Sequence, residues 1–415
     1  MLLMFNVIMS HTLRLSSKIN YLFLAYVLVW PVLNKTIIPI DGAGRIGQLL
    51  FLISLLFNVL ERDFLETMNR KPISLWFIWV IYVTIVWFWC GHNVTEVFES
   101  RPVSDVTFVF TRFVTPFYAM LLIAREIRLN EIPLLKWILA CYLIFIMLAT
   151  FCGTSNITDD GRVMSSMGNE LPLGAMSMFF WAAYMNLRHK LKTRYVAILF
   201  IVAFICILLA ATRKAFIGLL IISLFWLIAR NKMYKPQKLF ILIGVLALLY
   251  LGVQYVMDNT ALGERFAGTD DAAEIYNTSD IPILNFLGDR AIFYIMGWEI
   301  FLEHPWFGIG LSNFQIETGY PLPIHSEYIV QLCEGGIVGS IIFILFYLNI
   351  LKCIVRVRKS NKDNFGIYLL FLSLFLTVLF INLTAWTYQF PHYFICFGLV
   401  IGKSFSLMDR KFAYK

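Results

Sequence analysis

The feature that most constrains this chain is the recurrence, from end to end, of uninterrupted apolar runs close to 20 residues long. A helix needs about 20 mostly apolar residues to cross a bilayer, and continuous rather than alternating apolarity selects helices over a barrel. Twelve segments qualify, at 19–38, 46–60, 73–90, 106–124, 132–152, 171–187, 195–211, 214–230, 238–257, 337–355, 364–382 and 386–408. Composition agrees: 60% of the residues are hydrophobic and 14% charged, against about 25% charged in an ordinary soluble domain. So few charges cannot cover a soluble surface, which excludes a soluble enzyme and a disordered chain. The seven cysteines stand singly, with no CxxC or Cys/His spacing, so neither a disulfide scaffold nor a metal motif is written in the chain.

The expected fold is an all-α polytopic membrane protein with about 12 transmembrane helices and one large periplasmic loop. Residues 1–257 hold spans one to nine, 258–336 the loop, and 337–415 the last three spans and a cytoplasmic C-terminus. Arg14 and Lys18 precede the first span without a small-residue cleavage site, so that span is expected to stay.

Orientation follows from the loop cations. With both termini cytoplasmic, 25 Lys and Arg lie inside and eight outside: Lys35, Arg45, Arg101, Arg162, Arg213, Lys214, Arg265 and Arg290. Arg112 alone falls within a span, and the acidic residues divide the other way, 19 outside and seven inside. The net charge of +8 is thus an inner-face property suited to anionic headgroups, not a sign of nucleic-acid binding.

The outer face carries one long connection, the 79 residues 258–336, and long connections usually carry function. Within it, 289–303 places Ile292, Phe293, Met296, Ile300 and Phe301 on one helical face. Pro305, Gly308 and Gly310 then force a turn. A second helix is expected at 326–334 with Ser326 as N-cap. The first helix either lies on the bilayer surface or covers a site.

Three outer cations and one histidine have the right chemistry for a phosphate-bearing substrate. Arg213 and Lys214 stand where two spans meet. They snorkel to the interface or, for Arg213, grip phosphate oxygens bidentately. Arg290 opens the loop helix and either pairs with Asp289 or Glu299 or binds phosphate. Arg112 sits in a span, where an ionisable group is either functional or structurally paired. His325 is an outer general-base candidate with an ordinary pKa near neutrality; His304 precedes a proline at a helix end, and His92 lies in another loop.

At these residues the chain resembles the bacterial O-antigen ligase and O-antigen polymerase superfamily. The matching pieces are Thr212-Arg213-Lys214-Ala215, Gly288-Asp289-Arg290 with Trp298, His304-Pro305-Trp306-Phe307-Gly308-Ile309-Gly310, His325-Ser326-Glu327-Tyr328, and Glu334-Gly335-Gly336-Ile337-Val338-Gly339. They cover roughly 60 residues; the rest of the chain is similar only in hydropathy. One departure is Ser326, where many members have Asn after the histidine.

The resemblance implies a membrane glycosyltransferase in the bacterial inner membrane, with its active site facing the periplasm. It would need no metal or other cofactor and would act on undecaprenyl-pyrophosphate-linked oligosaccharides as donor and acceptor, with a chain-length regulator as a further partner. It implies that Arg213 and Arg290 bind the pyrophosphate and His325 activates the acceptor hydroxyl, with Arg112, Lys214, Glu327 and Tyr328 in support. A polymerase is the favoured reading and a ligase to lipid A-core the alternative. A twelve-span flippase is the alternative of another class, although no internal repeat is evident and the single large loop is asymmetric.

Overall fold

A computed structural model defines residues 15–36, 43–90, 109–151, 156–157, 163–164, 170–210, 212–231, 291–319, 324–360 and 362–413. Apart from a two-residue antiparallel ladder, Asn156–Ile157 with Val163–Met164, these residues are helices, tight turns and short linkers. In chain order they are α1 (Leu15–Thr36), α2 (Ala43–Val59), α3 (Arg62–Met68), α4 (Lys71–Trp89), α5 (Thr115–Leu129), α6 (Glu131–Phe151), α7 (Glu170–His189), α8 (Thr193–Leu209), α9 (Arg213–Asn231), α10 (Ala291–Glu303), α11 (Phe314–Thr318), α12 (Glu327–Cys333), α13 (Gly336–Ser360), α14 (Phe365–Asn382) and α15 (Pro391–Ala413). A π-helical turn at Phe110–Val114 leads into α5.

Helices lie within a few residues of eleven of the twelve expected spans; the segment 238–257 lies outside the described residues. Leu15–Val32, α4, α6, α13 and α14 are long and apolar enough to cross a membrane, and Arg45–Val59 and α8 are shorter apolar helices. This is a multi-pass membrane protein.

Packing explains which helices neighbour one another. The tightest pair is α5 with α15, where Gly398 and Gly402 lie one turn apart. A Cβ on Gly398 would stand 2.6 Å from the Met120 carbonyl oxygen, and one on Gly402 2.5 Å from that of Ala124. Two glycines at this spacing let backbones meet where no hydrophobic force separates helix from lipid. Helix α9 lies antiparallel to α14, with Gly218 against the side chains of Thr377 and Ile381 and Gly366 against the Ala229 carbonyl. That places Arg213, at the start of α9, at the end of the bundle where α14 finishes.

The opposite end is closed by buried charge. Arg125 and Glu126 are fully buried and paired at 2.8 Å. Arg125 also donates to Asn58 Oδ1 at 2.8 Å and pairs with Glu61. Ser17 and Asn20 of α1 donate to Glu126 at 3.1 and 3.0 Å. Lys403 of α15, equally buried, donates to both oxygens of Glu131 at 2.9 Å. The sequence counts Arg125 and Lys403 as inner-face cations. The fold instead uses them to tie α1, α2, α5, α6 and α15 together, since a charge in a low-dielectric interior must be paired.

The π-helical turn has a local cause. Pro116 has no N–H, and its ring clashes with the carbonyl four residues back. The turn widens by one residue, and the Phe110 carbonyl accepts both the Thr115 N–H and the Thr115 hydroxyl, the latter at 2.9 Å. Such turns are rare and recur at functional sites; Arg112 is at the centre of this one.

Candidate active site

The described part of the long connection 258–336 folds onto the helix bundle by interlocking its two glycine-rich segments. The Ile309 N–H donates to the Cys333 carbonyl (3.1 Å) and Gly310 N–H to that of Glu334 (3.0 Å). In return Ile337 N–H donates to the Pro305 carbonyl (2.8 Å) and Val338 N–H to that of Trp306 (3.2 Å). Side chains would block this approach. Gly308 and Gly336 have φ of +68° and +63°, and a Cβ on Gly336 would lie 2.5 Å from the Trp306 carbonyl oxygen. Helix α4 latches the pair: Tyr82 Oη donates to the Gly335 carbonyl at 2.6 Å, and Trp79 Nε1 to Gln331 Oε1 at 3.0 Å.

Helix α10 occupies Ala291–Glu303 within the expected 289–303; the first two positions of that stretch lie outside the described residues. It buries Phe293 and Ile300, sets Gly297 against Ile329 of α12, and donates Tyr294 Oη to the Leu383 carbonyl at 2.6 Å. It is therefore docked on the protein, with Ile295, Trp298 and Leu302 facing outward.

Helix α12 spans 327–333 rather than 326–334. Ser326 stands at its N-cap position without capping it; its hydroxyl donates to the Asn382 carbonyl at 3.4 Å. The following N–H, of Glu327, donates to the Ala385 carbonyl at 3.1 Å. His325 is thereby held against the linker between α14 and α15. Its half-buried ring lies between Phe293 (centroids 5.5 Å apart, stacked) and Trp386 (5.0 Å, edge-on), which fixes the plane of the imidazole.

Two carboxyl groups behind His325 complete the frame. Glu327 accepts from Gln331 Nε2 at 2.8 Å, from Tyr388 N–H at 3.1 Å and from Thr387 N–H. Glu334 accepts the N–H groups of Ser312 (2.9 Å) and Phe314 (3.1 Å). Burial pushes each carboxyl up to about 7, although these hydrogen bonds act to lower it. Tyr328, half-buried, donates to the Leu379 carbonyl at 2.9 Å.

Arg112, half-buried, lines a cavity of about 80 Å³ together with Glu334, Trp386, Tyr388 and Gln389. The structure thus brings Arg112, Glu327 and His325 around one linker, 383–390. Arg213 and Lys214, both half-buried, start α9 at the same end of the bundle. Arg290 lies outside the described residues.

Sequence reasoning assigned no role to Glu334, Gln331, Thr387, Gln389 or His392. Glu334 was visible only as part of a motif. His392, an ionisable residue at the head of an apolar span, carried a signal of its own.

No curated protein matches this chain. Residues 198–344 match the family model described as O-antigen ligase, about a third of the chain. That stretch contains Arg213, Arg290, His325 and the interlocked glycine-rich segments. The match and the motifs agree, and over these residues the chain is similar to the family described as O-antigen ligase.

Proposed function

We propose that this protein is a surface-polysaccharide polymerase of the inner membrane. It transfers a glycan from undecaprenyl pyrophosphate to the non-reducing end of another lipid-linked repeat unit, on the periplasmic side. The observation that carries the reading is the family match over the residues that hold Arg213, Arg290 and the clamped His325.

Arg213 and Arg290 neutralise the pyrophosphate, making it a good leaving group without a metal. His325 takes the proton of the acceptor hydroxyl as the new C–O bond forms at the anomeric carbon. The old C–O bond breaks, and its electron pair leaves with the pyrophosphate. Lys214, Glu327 and Tyr328 act in support: Glu327 and Tyr328 hold α12, and hence His325, against the 379–388 region. The docked α10 covers the site and limits water.

The description of the matched family as O-antigen ligase favours a second reading, transfer of the finished glycan to lipid A-core. The acceptor decides between them. Purified protein given only lipid-pyrophosphate-linked repeat units should lengthen them, with EDTA present. Transfer solely on addition of lipid A-core would make it a ligase. Passage of lipid-linked sugar across vesicles with no transfer would make it a flippase.

A further inference from the structure

A groove of about 1130 Å³ runs between the C-terminal end of α4, the turn at 303–309 and α11. Its walls are largely apolar: Ile85, Val86 and Trp89 of α4, Trp306 and Phe307 of the turn, and Ile316 of α11. Small-molecule pockets usually hold about 300–1,000 Å³, so this one has room for an extended chain.

The groove is continuous with the lipid-facing surface. Ile78, Ile81, Ile85 and Phe88 are exposed and recur at the three- and four-residue spacing of one helix face. Helix α4 is long and apolar enough to cross a membrane, so this stripe meets hydrocarbon. Ile85 belongs to both the stripe and the groove.

The other side of the groove is polar. Among the described lining residues α4 contributes no charged side chain, whereas the 303–317 stretch contributes Glu303, His304 and Glu317, all exposed. Acidic side chains are costly in hydrocarbon, and tryptophans such as the exposed Trp89 and Trp306 collect at the membrane–water boundary. The groove thus crosses that boundary, and its occupant combines a hydrocarbon chain with a polar head.

The lining also selects the head. It holds two carboxyl groups and, among the described residues, no Lys or Arg. The side chains of Glu303, His304 and Glu317 bond to no described residue, so their hydrogen-bonding capacity is open to a ligand. A purely anionic head would meet like charge. An ammonium has three N–H donors for the two acids, and a neutral imidazole has one N–H for a phosphate oxygen.

From this geometry we infer that the groove is a binding site for an aminophospholipid. An acyl chain lies along Ile85, Trp89 and Phe307, and the ammonium sits at Glu303 and Glu317. The site adjoins the frame behind His325: Asn313 lines the groove, while its neighbours Ser312 and Phe314 line the small cavity with Arg112 and Glu334. A lipid held here braces the 304–310 turn in its interlock. The inference does not depend on the glycan-transfer reading.

The test uses the full-length protein, stripped of lipid in detergent. Dioleoyl-phosphatidylethanolamine and dioleoyl-phosphatidylglycerol, which share their chains and differ in the head, are titrated against thermal unfolding. The ethanolamine lipid should raise Tm at a lower mole fraction than the glycerol lipid, and native mass spectrometry should show it retained. Glu303→Gln with Glu317→Gln removes the charge at exposed positions, so Tm in detergent alone should hold. The double variant should weaken the ethanolamine lipid's effect roughly 2- to 10-fold, the worth of a net hydrogen bond. Equal response to both lipids, no response to either, or an ethanolamine preference that survives in the double variant overturns the site.

Discussion

A Cβ on Gly308 would stand 2.5 Å from the Glu334 carbonyl oxygen. These two residues fasten the 304–310 turn to the helix that follows His325. Gly308→Ala should therefore combine a left-handed penalty of about 1–2 kcal/mol with a backbone clash. Gly319 is the control: its φ is +65° and nothing among the described residues lies within 4 Å of its Cβ position. Thermal unfolding in detergent should show a clearly larger loss for Gly308→Ala than for Gly319→Ala. Equal losses would mean that the interlock does not matter to stability.

His325→Ala should lower glycan transfer about 10²–10⁴-fold, the usual cost of losing a general base. Lipid-linked donor should still bind. Polymer on a gel at matched protein levels is the readout, and full activity in this variant would falsify the role of base.

Arg213→Lys should restore little of the activity that Arg213→Ala loses, because an ammonium cannot reproduce a two-pronged donor. Loss of charge-assisted bonds to phosphate costs about 1.5–3 kcal/mol, or roughly ten- to a hundredfold. The effect should appear in donor KM for both Arg213→Ala and Arg290→Ala. Normal donor kinetics in both would reduce these arginines to interface anchors.

Glu327 and Glu334 are carboxyls whose native pKa lies near 7, above an unfolded value near 4.5. In that window the native state binds more protons than the unfolded state, so stability falls as pH rises. Their contribution is complete below about 4.5 and is lost as the pH passes through about 7. The Tm in detergent should drop between pH 5 and 8, and Glu327→Gln with Glu334→Gln should flatten the slope. A Tm that rises with pH would refute the assignment.

Residues 258–336 should be periplasmic and the connections at 188–194 and 231–237 cytoplasmic. Single cysteines placed there, in a background lacking the native ones, report this through a membrane-impermeant maleimide. Labelling of 231–237 in intact cells with 258–336 silent would reverse the orientation and remove the periplasmic chemistry with it.

Hydropathy and helical period are local properties, and what depended on them was legible in the chain by itself. The apolar runs located the described spans to within a few residues, the 289–303 pattern located α10, and the motifs around Arg213 and His325 carried the resemblance to the matched family. Partnership between distant segments was not legible, because hydropathy says that a face is buried but not against what. Trp79 meets Gln331 across 252 positions, and Ser17 meets Glu126 across 109. Only the tertiary structure sealed Arg125 and Lys403 inside the bundle. It also turned two motif glycines into an interlock, since a Cβ-free approach has meaning only once a second backbone is in place. And it set Arg112 and His392 around one cavity, because a π-helical turn and the head of a span nearly 280 residues later reach the same end of the bundle only after the helices between them have packed.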